Sequence, residues 1–242
     1  MNAKYFISRT AAFCRSLPAR TYRKLFPTAQ QCEVARYYRD NPSQSLRYRY
    51  PLDRTSVVLD CGGYDGQWAS DMFSRYCCRI HVFEVVPEYA AQIRERFAGN
   101  PSITVHDFGL GSVDQSVSVS LAGVGSSLYH RNVHASVTGR IVCAADFLHG
   151  LSLNRVDLVK INIEGGEYDL IRHLVESQWI DRMRDIQVQF HDFVAKADAQ
   201  LALSHTLLSR THTPTYQYRF VWENWRATGR LPHDAGGTER GP

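Results

Sequence analysis

An apolar strand, a run of glycines and two carboxylates follow one another in the stretch SVVLDCGGYDG. The acids and glycines of this stretch are Asp60, Gly62, Gly63, Asp65 and Gly66. Glycines allow a tight turn and a close approach of the backbone to a ligand. The order of residues differs from the GxGxxG fingerprint of dinucleotide-binding loops, and carboxylates here would repel a pyrophosphate. The loop therefore predicts a positively charged ligand.

S-adenosylmethionine (SAM) carries such charge on its ammonium and its sulfonium, which Asp60 and Asp65 can meet directly or through water. Roughly two dozen residues later, a second strand ends at Glu84, where a carboxylate can accept both hydroxyls of a ribose. After a third strand, Asp107 either accepts from the adenine amino group or is an ordinary turn residue. The predicted cofactor-binding residues are Asp60, Gly62, Gly63, Asp65, Gly66, Glu84, Val85, Asp107 and Phe108, the last through its backbone N–H.

A second group of polar side chains lies in the run VDLVKINIEGGEYDL. Lys160, Asn162 and Glu164 alternate there with apolar residues, so a strand would place them on one face. The next predicted strand, IQVQFHDF, ends near His191. Methyl transfer to a hydroxyl requires alignment of the reacting atoms and removal of a proton, and a neutral histidine suits the second task. We predict His191, Glu164 and Asn162 as catalytic residues.

The same side chains allow two other interpretations. Asn162, Glu164, His191 and Asp192 offer oxygen and imidazole ligands for a divalent cation, which would orient an acceptor hydroxyl and lower its pKa. Alternatively, His191 is a buried histidine bonded to the backbone and Glu164 supports a helix N-terminus, so that both are structural. The residues alone leave these alternatives open.

Short β-branched runs alternate with helical periodicity from residue 56 onward, which predicts an α/β fold with a mainly parallel sheet. The predicted strands are 56–60, 79–84, 103–107, 156–163, 186–191 and 216–222. The predicted helices are 66–76, 87–98, 167–177 and 196–210. Because ligands of such sheets bind at the carboxyl ends of the strands, the polar groups described above should meet at one edge.

Three segments depart from this alternation. Residues 111–143 alternate like antiparallel strands around a Gly/Ser-rich AGVGSSLYH, which predicts an inserted hairpin or flap beside the cofactor cleft. Residues 1–50 predict an N-terminal cap of short amphipathic helices, broken near Pro18 and Pro27. The domain itself should span 51–226, and the Gly- and Pro-containing end, 227–242, should be a flexible tail.

Composition limits the function classes. A net charge of +4 over 242 residues, without a dense Lys/Arg run, gives little support for a nucleic-acid partner. The 6 cysteines show neither a CxxC pair nor zinc spacing. No apolar run is long enough to span a bilayer and no secretory leader is evident, so we expect a cytoplasmic protein, with peripheral membrane contact through the N-terminal helix as an alternative. Oligomeric state is left open.

The residues quoted above resemble the FkbM family of methyltransferases over roughly 55–195. The family's glycine loop matches VVLDCGGYDG, its ribose acid matches Glu84, and its KIDxEGxE-type signature matches KINIEGGE at 160–167. The resemblance implies a Rossmann-like class I fold with a seven-stranded, mostly parallel sheet and helices on both faces. It also implies SAM-dependent methylation of hydroxyls on sugars, glycans or secondary metabolites. It carries over as functional residues Asp60, Gly62, Gly66, Glu84 and Glu164, while Asn162 departs from the usual Asp.

Three other functions are alternatives to a small-molecule or glycan O-methyltransferase. A nicotinamide-dependent oxidoreductase would also use a glycine loop and a ribose acid, but it lacks support from the loop spacing and from Asp65. A nucleic-acid methyltransferase acting on base amino groups would carry an Asn/Asp-Pro-Pro-aromatic motif where this chain has NIEG. A non-catalytic SAM-binding scaffold is the third rival.

Overall fold

The computed structural model describes residues 27–120, 136–229 and Leu231. A central sheet of 7 strands crosses the molecule in the order β3-β2-β1-β7-β8-β10-β9. Its strands are β1 (Val57–Cys61), β2 (Arg79–Phe83), β3 (Ile103–His106), β7 (Val156–Ile161), β8 (Met183–Val188), β9 (His212–Tyr218) and β10 (Trp222–Ala227). The five strands from β3 to β8 are parallel, and β10 pairs antiparallel with both β8 and β9. The predicted seven-stranded, mostly parallel sheet is confirmed.

Helices cover both faces of this sheet. The helices are α1 (Ala29–Asp40), α2 (Gln67–Tyr76), α3 (Pro87–Arg96), α4 (Ala144–Gly150), α5 (Glu167–Glu176) and α6 (Ala197–Leu208). Successive residues of one strand enter opposite cores: Val58 packs with Trp68 and Met72 of α2, whereas its neighbour Leu59 belongs to the core that contains α5. This two-sided burial explains why the parallel strands are continuous apolar runs in the sequence.

The predicted inserted hairpin is present as a second, 3-stranded sheet in the order β4-β6-β5. Its strands are β4 (Gly109–Gly111), β5 (Gln115–Ser120) and β6 (Ser136–Cys143), and β5 pairs antiparallel with β6. Gly139 of β6 lies so close to the segment after β2 that a Cβ at this position would collide with the backbone oxygen of Val85. The insertion is thereby held against the carboxyl edge of the central sheet.

Several predicted boundaries need correction. The predicted strand 216–222 is wrong, since it joins the end of β9, a turn and the start of β10; the turn contains no glycine, and Phe220 adopts a left-handed φ of 54° there. The predicted strand 156–163 ends at Ile161, and the predicted strand 186–191 begins at Met183. Sequence reasoning missed α4 and β4, which are too short for a clear periodicity.

The predicted N-terminal cap is only partly within the described residues. Helix α1 begins after Thr28, whose hydroxyl accepts from the backbone N–H of Gln31 while the Gln31 side chain accepts from the N–H of Thr28. The segment 1–26, the AGVGSSLYH stretch and nearly all of the predicted tail lie outside the described residues, so the predicted domain limits stay predictions. Within the described part of the chain, no helix is both long and apolar enough to cross a membrane.

Candidate active site

The glycine loop after β1 is fastened to the strands on both sides. The backbone N–H groups of Gly62 and Gly63 donate to the carbonyl oxygen of Phe83, at 2.9 and 3.2 Å. Gly62 has a left-handed φ of 88°, and a Cβ there would collide with the carbonyl oxygen of Asn162 at the end of β7. Gly66, with φ 75°, precedes α2 in the same way. Only glycine fits at Gly62. Through this residue the end of β1 contacts the ends of both neighbouring strands, β2 and β7.

Asp60 forms a buried ion pair beneath this loop. Its Oδ1 accepts from Lys160 Nζ at 2.8 Å, and the same ammonium donates to the carbonyl oxygen of Gly62 at 2.7 Å. The Asp60 side chain is 0% exposed, and burial raises its pKa although the charge of Lys160 opposes that shift. Asp60 is therefore already paired with the positive charge of Lys160, and Lys160 also holds the glycine loop through the carbonyl oxygen of Gly62.

Glu84 lies at the end of β2 with both carboxylate oxygens already in use. Its Oε2 accepts from the backbone N–H of Tyr64 at 2.8 Å, and its Oε1 accepts from that of Val86 at 2.9 Å. Burial raises the pKa of this carboxyl group, against the two backbone hydrogen bonds, which favour the charged form. Each carboxylate oxygen keeps further lone pairs for a ligand.

A cleft of about 400 Å³ lies at this carboxyl edge of the sheet. Its lining includes Gly62, Glu84 and Val85 from the cofactor side, together with Asn162 and Glu164 from the end of β7. The inserted sheet supplies the opposite wall through Gly109, Leu110, Gly111, Gln115, Val119 and Ile141. The structure thus brings five of the predicted site residues to one cavity.

Asp65, Asp107 and Phe108 are not among the residues that line the cleft. Asp65 is exposed, and its Oδ1 accepts from the backbone N–H of Gln67 at the start of α2. Asp107 is also exposed and lies 3.7 Å from Arg94, between its Oδ2 and Nη2. Phe108 is buried among the rings of Phe83 and Phe147. The geometry therefore gives no support to direct contacts of the Asp65 and Asp107 side chains with a ligand, whereas the predicted contact of Phe108 runs through its backbone N–H and stays a prediction.

The reaction side is built where β7 and β8 end. Asn162 and Glu164 face the cleft, whereas Lys160 of the predicted trio points to Asp60, its register partner on the neighbouring strand β1. Asn162 Oδ1 is buried and hydrogen-bonds to nothing in the described part of the chain. His191 follows β8 and is largely buried behind Glu164, with 3.6 Å between its Nε2 and Glu164 Oε2.

Glu167 is the residue that sequence reasoning missed. Its side chain is 0% exposed at the first position of α5, and its Oε1 lies 3.0 Å from His191 Nδ1. Burial lowers the pKa of His191, but the hydrogen bond to Glu167 and the charges of Glu167, Glu164 and Asp192 outweigh it, so the net pKa is raised. The available signal was a glutamate in the first turn of a predicted helix, directly after EGG.

The predicted metal site is not supported. No group of three or more His, Cys, Asp or Glu residues in the described ranges is arranged to hold a metal ion. Of the four candidates, Glu164 and His191 come together, while Asn162 contributes an amide and Asp192 is exposed. His191 is also occupied on its Nδ1 side by Glu167, which leaves a single nitrogen for any other partner.

Solved structures similar to this chain include several methyltransferases. An rRNA methylase from Streptococcus thermophilus has 14% identity, with 73% of this chain and 89% of that chain covered and a TM-score of 0.45. A putative rRNA-methylase from Clostridium thermocellum has 8% identity, coverage of 82% and 97%, and a TM-score of 0.49. Precorrin-6y C5,15-methyltransferase from Geobacter metallireducens has 13% identity, coverage of 78% and 87%, and a TM-score of 0.41. Similarities this low carry no argument about the acceptor.

No curated protein matches the chain. A family model does match, and it spans residues 60–213, from the acid at the end of β1 to the start of β9. The matched part contains the glycine loop, Glu84 and the signature at 160–167, and so agrees with the resemblance found in the sequence. The chain belongs to the family described by the methyltransferase FkbM domain.

Proposed function

We propose that this methyltransferase transfers the methyl group of SAM to a hydroxyl oxygen of a small-molecule or glycan acceptor. The observation that carries the proposal is that Glu84 and Glu164 line the same cleft from strands on either side of β1. A carboxylate on the Glu84 side suits the ribose hydroxyls of the cofactor. A carboxylate on the Glu164 side suits the removal of a proton from the acceptor.

The residues of the cleft fit SAM in three respects. Glu84 has lone pairs left for two hydroxyls, and Gly62, which lines the cleft, presents backbone rather than a side chain to a ligand. Asn162 Oδ1, a buried acceptor without a described partner, suits an ammonium group. When bound, SAM would supply a methyl group on a positively charged sulfur, and the two carboxylates of the cleft complement that charge. Asp60 would act through Lys160 and the Gly62 carbonyl rather than by direct contact.

In this proposal Glu164 is the catalytic base, and His191 accepts the proton from Glu164. Glu164 would take the hydroxyl proton while the acceptor oxygen forms its bond to the methyl carbon and sulfur keeps the electron pair of the broken bond. When His191 is neutral and donates Nδ1–H to Glu167, its Nε2 is an acceptor 3.6 Å from Glu164 Oε2 and can receive the proton onward. Asn162 would orient the acceptor or the cofactor ammonium.

The acceptor class is inferred from the shape and chemistry of the site. The inserted sheet gives the cleft a mainly apolar wall, and polar side chains such as Glu84, Asn162 and Glu164 line the rest, a combination typical of small-molecule sites. Neither a basic stripe nor the motif of base-amine methylation is present in the sequence, which disfavours a nucleic acid. The cytoplasmic location belongs to the same proposal.

The test uses SAM labelled in its methyl group and Glu164→Gln, with Glu176→Gln as a control at an exposed glutamate on α5. Calorimetry should show SAM binding to wild type and to both variants, while NAD should not bind. Turnover should fall by roughly 100-fold or more in Glu164→Gln only. Sugars, glycans and a metabolite extract serve as acceptors, and the labelled product should resist both alkali and ribonuclease, as a methyl ether on a small acceptor does.

Four results would contradict the proposal. Alkali-labile label would indicate a methyl ester, and ribonuclease-sensitive label would indicate an RNA acceptor. Tight SAM binding without transfer to any acceptor class, in wild type and both variants alike, would favour the non-catalytic scaffold. Unchanged turnover in Glu164→Gln would mean that another group removes the proton.

A further inference from the structure

One buried carboxylate joins the turn before α5 to the imidazole after β8. Oε1 of Glu167 accepts from the backbone N–H of Ile163 at 2.9 Å, and the N–H of Gly165 lies 3.0 Å from Oε2 and 3.2 Å from Oε1. The same Oε1 lies 3.0 Å from His191 Nδ1. A carboxylate at the first position of a helix is further favoured by the positive end of the helix dipole. The donors that Glu167 meets, two backbone N–H groups and an imidazole nitrogen, therefore all belong to the reaction side.

The turn that Glu167 fastens has an unfavourable backbone conformation. Glu164 has a left-handed φ of 54°, although it is not a glycine, and Gly165 follows with φ 108°. A non-glycine residue persists in this region only when its surroundings compensate, and such residues concentrate at functional sites. The two N–H groups that flank Glu164 in the chain both point to Glu167. These contacts fix the direction in which the Glu164 side chain leaves the backbone, which is toward the cleft.

The imidazole is fixed by the same group. An ionised carboxylate only accepts hydrogen bonds, so Nδ1 of His191 must carry the proton that faces Glu167. In the neutral ring this leaves the lone pair on Nε2, the nitrogen that faces Glu164. Tyr168 completes the restraint, because its hydroxyl donates to the carbonyl oxygen of His191 at 2.7 Å. The charged groups around the ring are Glu167, Glu164 and Asp192.

We propose that Glu167 is a positioning residue for methyl transfer, which sets both the backbone turn of Glu164 and the Nδ1–H tautomer of His191. It touches neither cofactor nor acceptor and acts through those two side chains. This inference rests on the proposed role of Glu164 as the base. It does not require a particular acceptor, and the tautomer of His191 can be measured with no substrate present.

The experiment compares Glu167→Gln with Glu88→Gln, the same change at an exposed first-turn glutamate of α3. In Glu167→Gln the amide nitrogen replaces one carboxylate oxygen and faces either the N–H of Gly165 or the N–H of Ile163 together with His191, so at least one backbone donor loses its acceptor. We expect kcat to fall by roughly 10- to 100-fold with KM for SAM changed less than about threefold. Glu88→Gln should leave both values unchanged, and Glu167→Asp should restore part of the loss only if its shorter carboxylate still reaches His191.

Nitrogen-detected NMR of His191 supplies the second measurement, on the intact wild-type protein. At a pH where the ring is neutral, the expected spectrum shows protonated Nδ1, and in Glu167→Gln the ring should shift toward a mixture of tautomers. A wild-type ring protonated on Nε2, or a Glu167→Gln enzyme with unchanged kcat, would overturn the inference. If instead wild type shows the Nδ1–H tautomer but methylates no hydroxyl, the proposed function fails while the positioning geometry stands.

Discussion

Two buried glutamates, Glu84 and Glu167, stabilise turns at two different strand ends with similar chemistry. Glu84 accepts from the N–H groups of Tyr64 and Val86. Glu167 accepts from those of Ile163 and Gly165. In both places an ionised carboxylate satisfies backbone donors that a sharp turn leaves without partners, which is worth more than a neutral hydrogen bond would be.

The two glutamates differ in what they face. Glu84 lines the cleft, so the group that fastens the turn is also available to a ligand. Glu167 is fully buried, and besides the two backbone N–H groups it contacts His191. A different residue, Glu164, faces the cleft. On the cofactor side, one carboxylate, Glu84, both anchors the turn and faces the ligand. On the reaction side, Glu167 anchors the turn and Glu164 faces the ligand. Losing an anchor should therefore affect cofactor affinity on one side and turnover on the other.

The largest expected effect lies beneath the cofactor side. Lys160→Met removes one partner of a buried ion pair and leaves Asp60 charged and unpaired, so we expect a loss of about 3–5 kcal/mol in the free energy of unfolding. Urea denaturation measures it, with Lys196→Met, at an exposed lysine, as the control. The double variant Lys160→Met with Asp60→Asn should regain part of the loss, because no charge then remains unpaired. Equal losses in Lys160→Met and Lys196→Met would show that the pair contributes little.

The next effect concerns affinity. Glu84→Gln replaces one acceptor oxygen by an amide nitrogen that faces a backbone N–H, and it removes the charge offered to the ribose. A hydrogen bond to a charged group is worth about 1.5–3 kcal/mol, so Kd for SAM should rise roughly 10- to 100-fold. Calorimetry on Glu84→Gln and Glu167→Gln sharpens the comparison, since only the first should weaken binding. If both weaken it equally, the division of tasks between the two sides is wrong.

Much of the cofactor side was predictable from the sequence, because its features are consecutive along the chain. The glycines of the loop and the acid at the end of β2 follow apolar runs whose ends are visible as composition changes. Strand pairing then needs only the rule that parallel strand ends share an edge. The strands β1, β2 and β3 accordingly lie within a residue or two of their predicted positions.

The reaction side was harder, because its geometry depends on residues that are distant in sequence. The tie between Glu167 and His191 joins residues 24 apart, and periodicity gives no hint of it. The alternation in the sequence placed Lys160 on one strand face with Asn162 and Glu164, whereas in the structure Lys160 bonds to Asp60, its register partner on β1. Side-chain partners and left-handed residues other than glycine are decided by tertiary contacts, and short-range patterns do not carry that information.

A smaller effect concerns stability as a function of pH, to which His106 and His191 contribute with opposite signs. Burial, with a smaller effect from the charge of His81, lowers the pKa of His106 from its ordinary 6.5 to about 4. Between these two pKa values His106 is protonated in the unfolded chain but not in the folded one. It therefore lowers the free energy of unfolding as pH falls from about 6.5 toward 4. His191 has a raised pKa, so its stabilising contribution is present below the unfolded pKa and is lost as pH rises through the folded value.

Thermal unfolding across pH 4.5–8 of His106→Gln and His191→Gln measures this difference. Relative to wild type, His106→Gln should gain stability toward acid pH, and His191→Gln should lose it there. His106 stacks on Phe83 and is only partly buried, so the loss of that contact shifts the whole curve without changing its slope. Parallel curves for wild type and His191→Gln would mean that the carboxylates around the ring do not hold its proton.

The smallest expected effect tests whether the cofactor site extends from β2 to the end of β3, where Asp107 lies. Asp107→Asn changes an exposed carboxylate that lies 3.7 Å from an equally exposed Arg94, and such a pair contributes little in water. Because Asp107 stands outside the cleft lining, Kd for SAM should change by less than about twofold, which is the range of an ordinary surface substitution. Calorimetry beside Glu84→Gln makes the contrast direct. A tenfold weaker Kd in Asp107→Asn would mean that the β3 end turns toward the adenine on binding, and that the cofactor side extends one strand further than the cleft indicates.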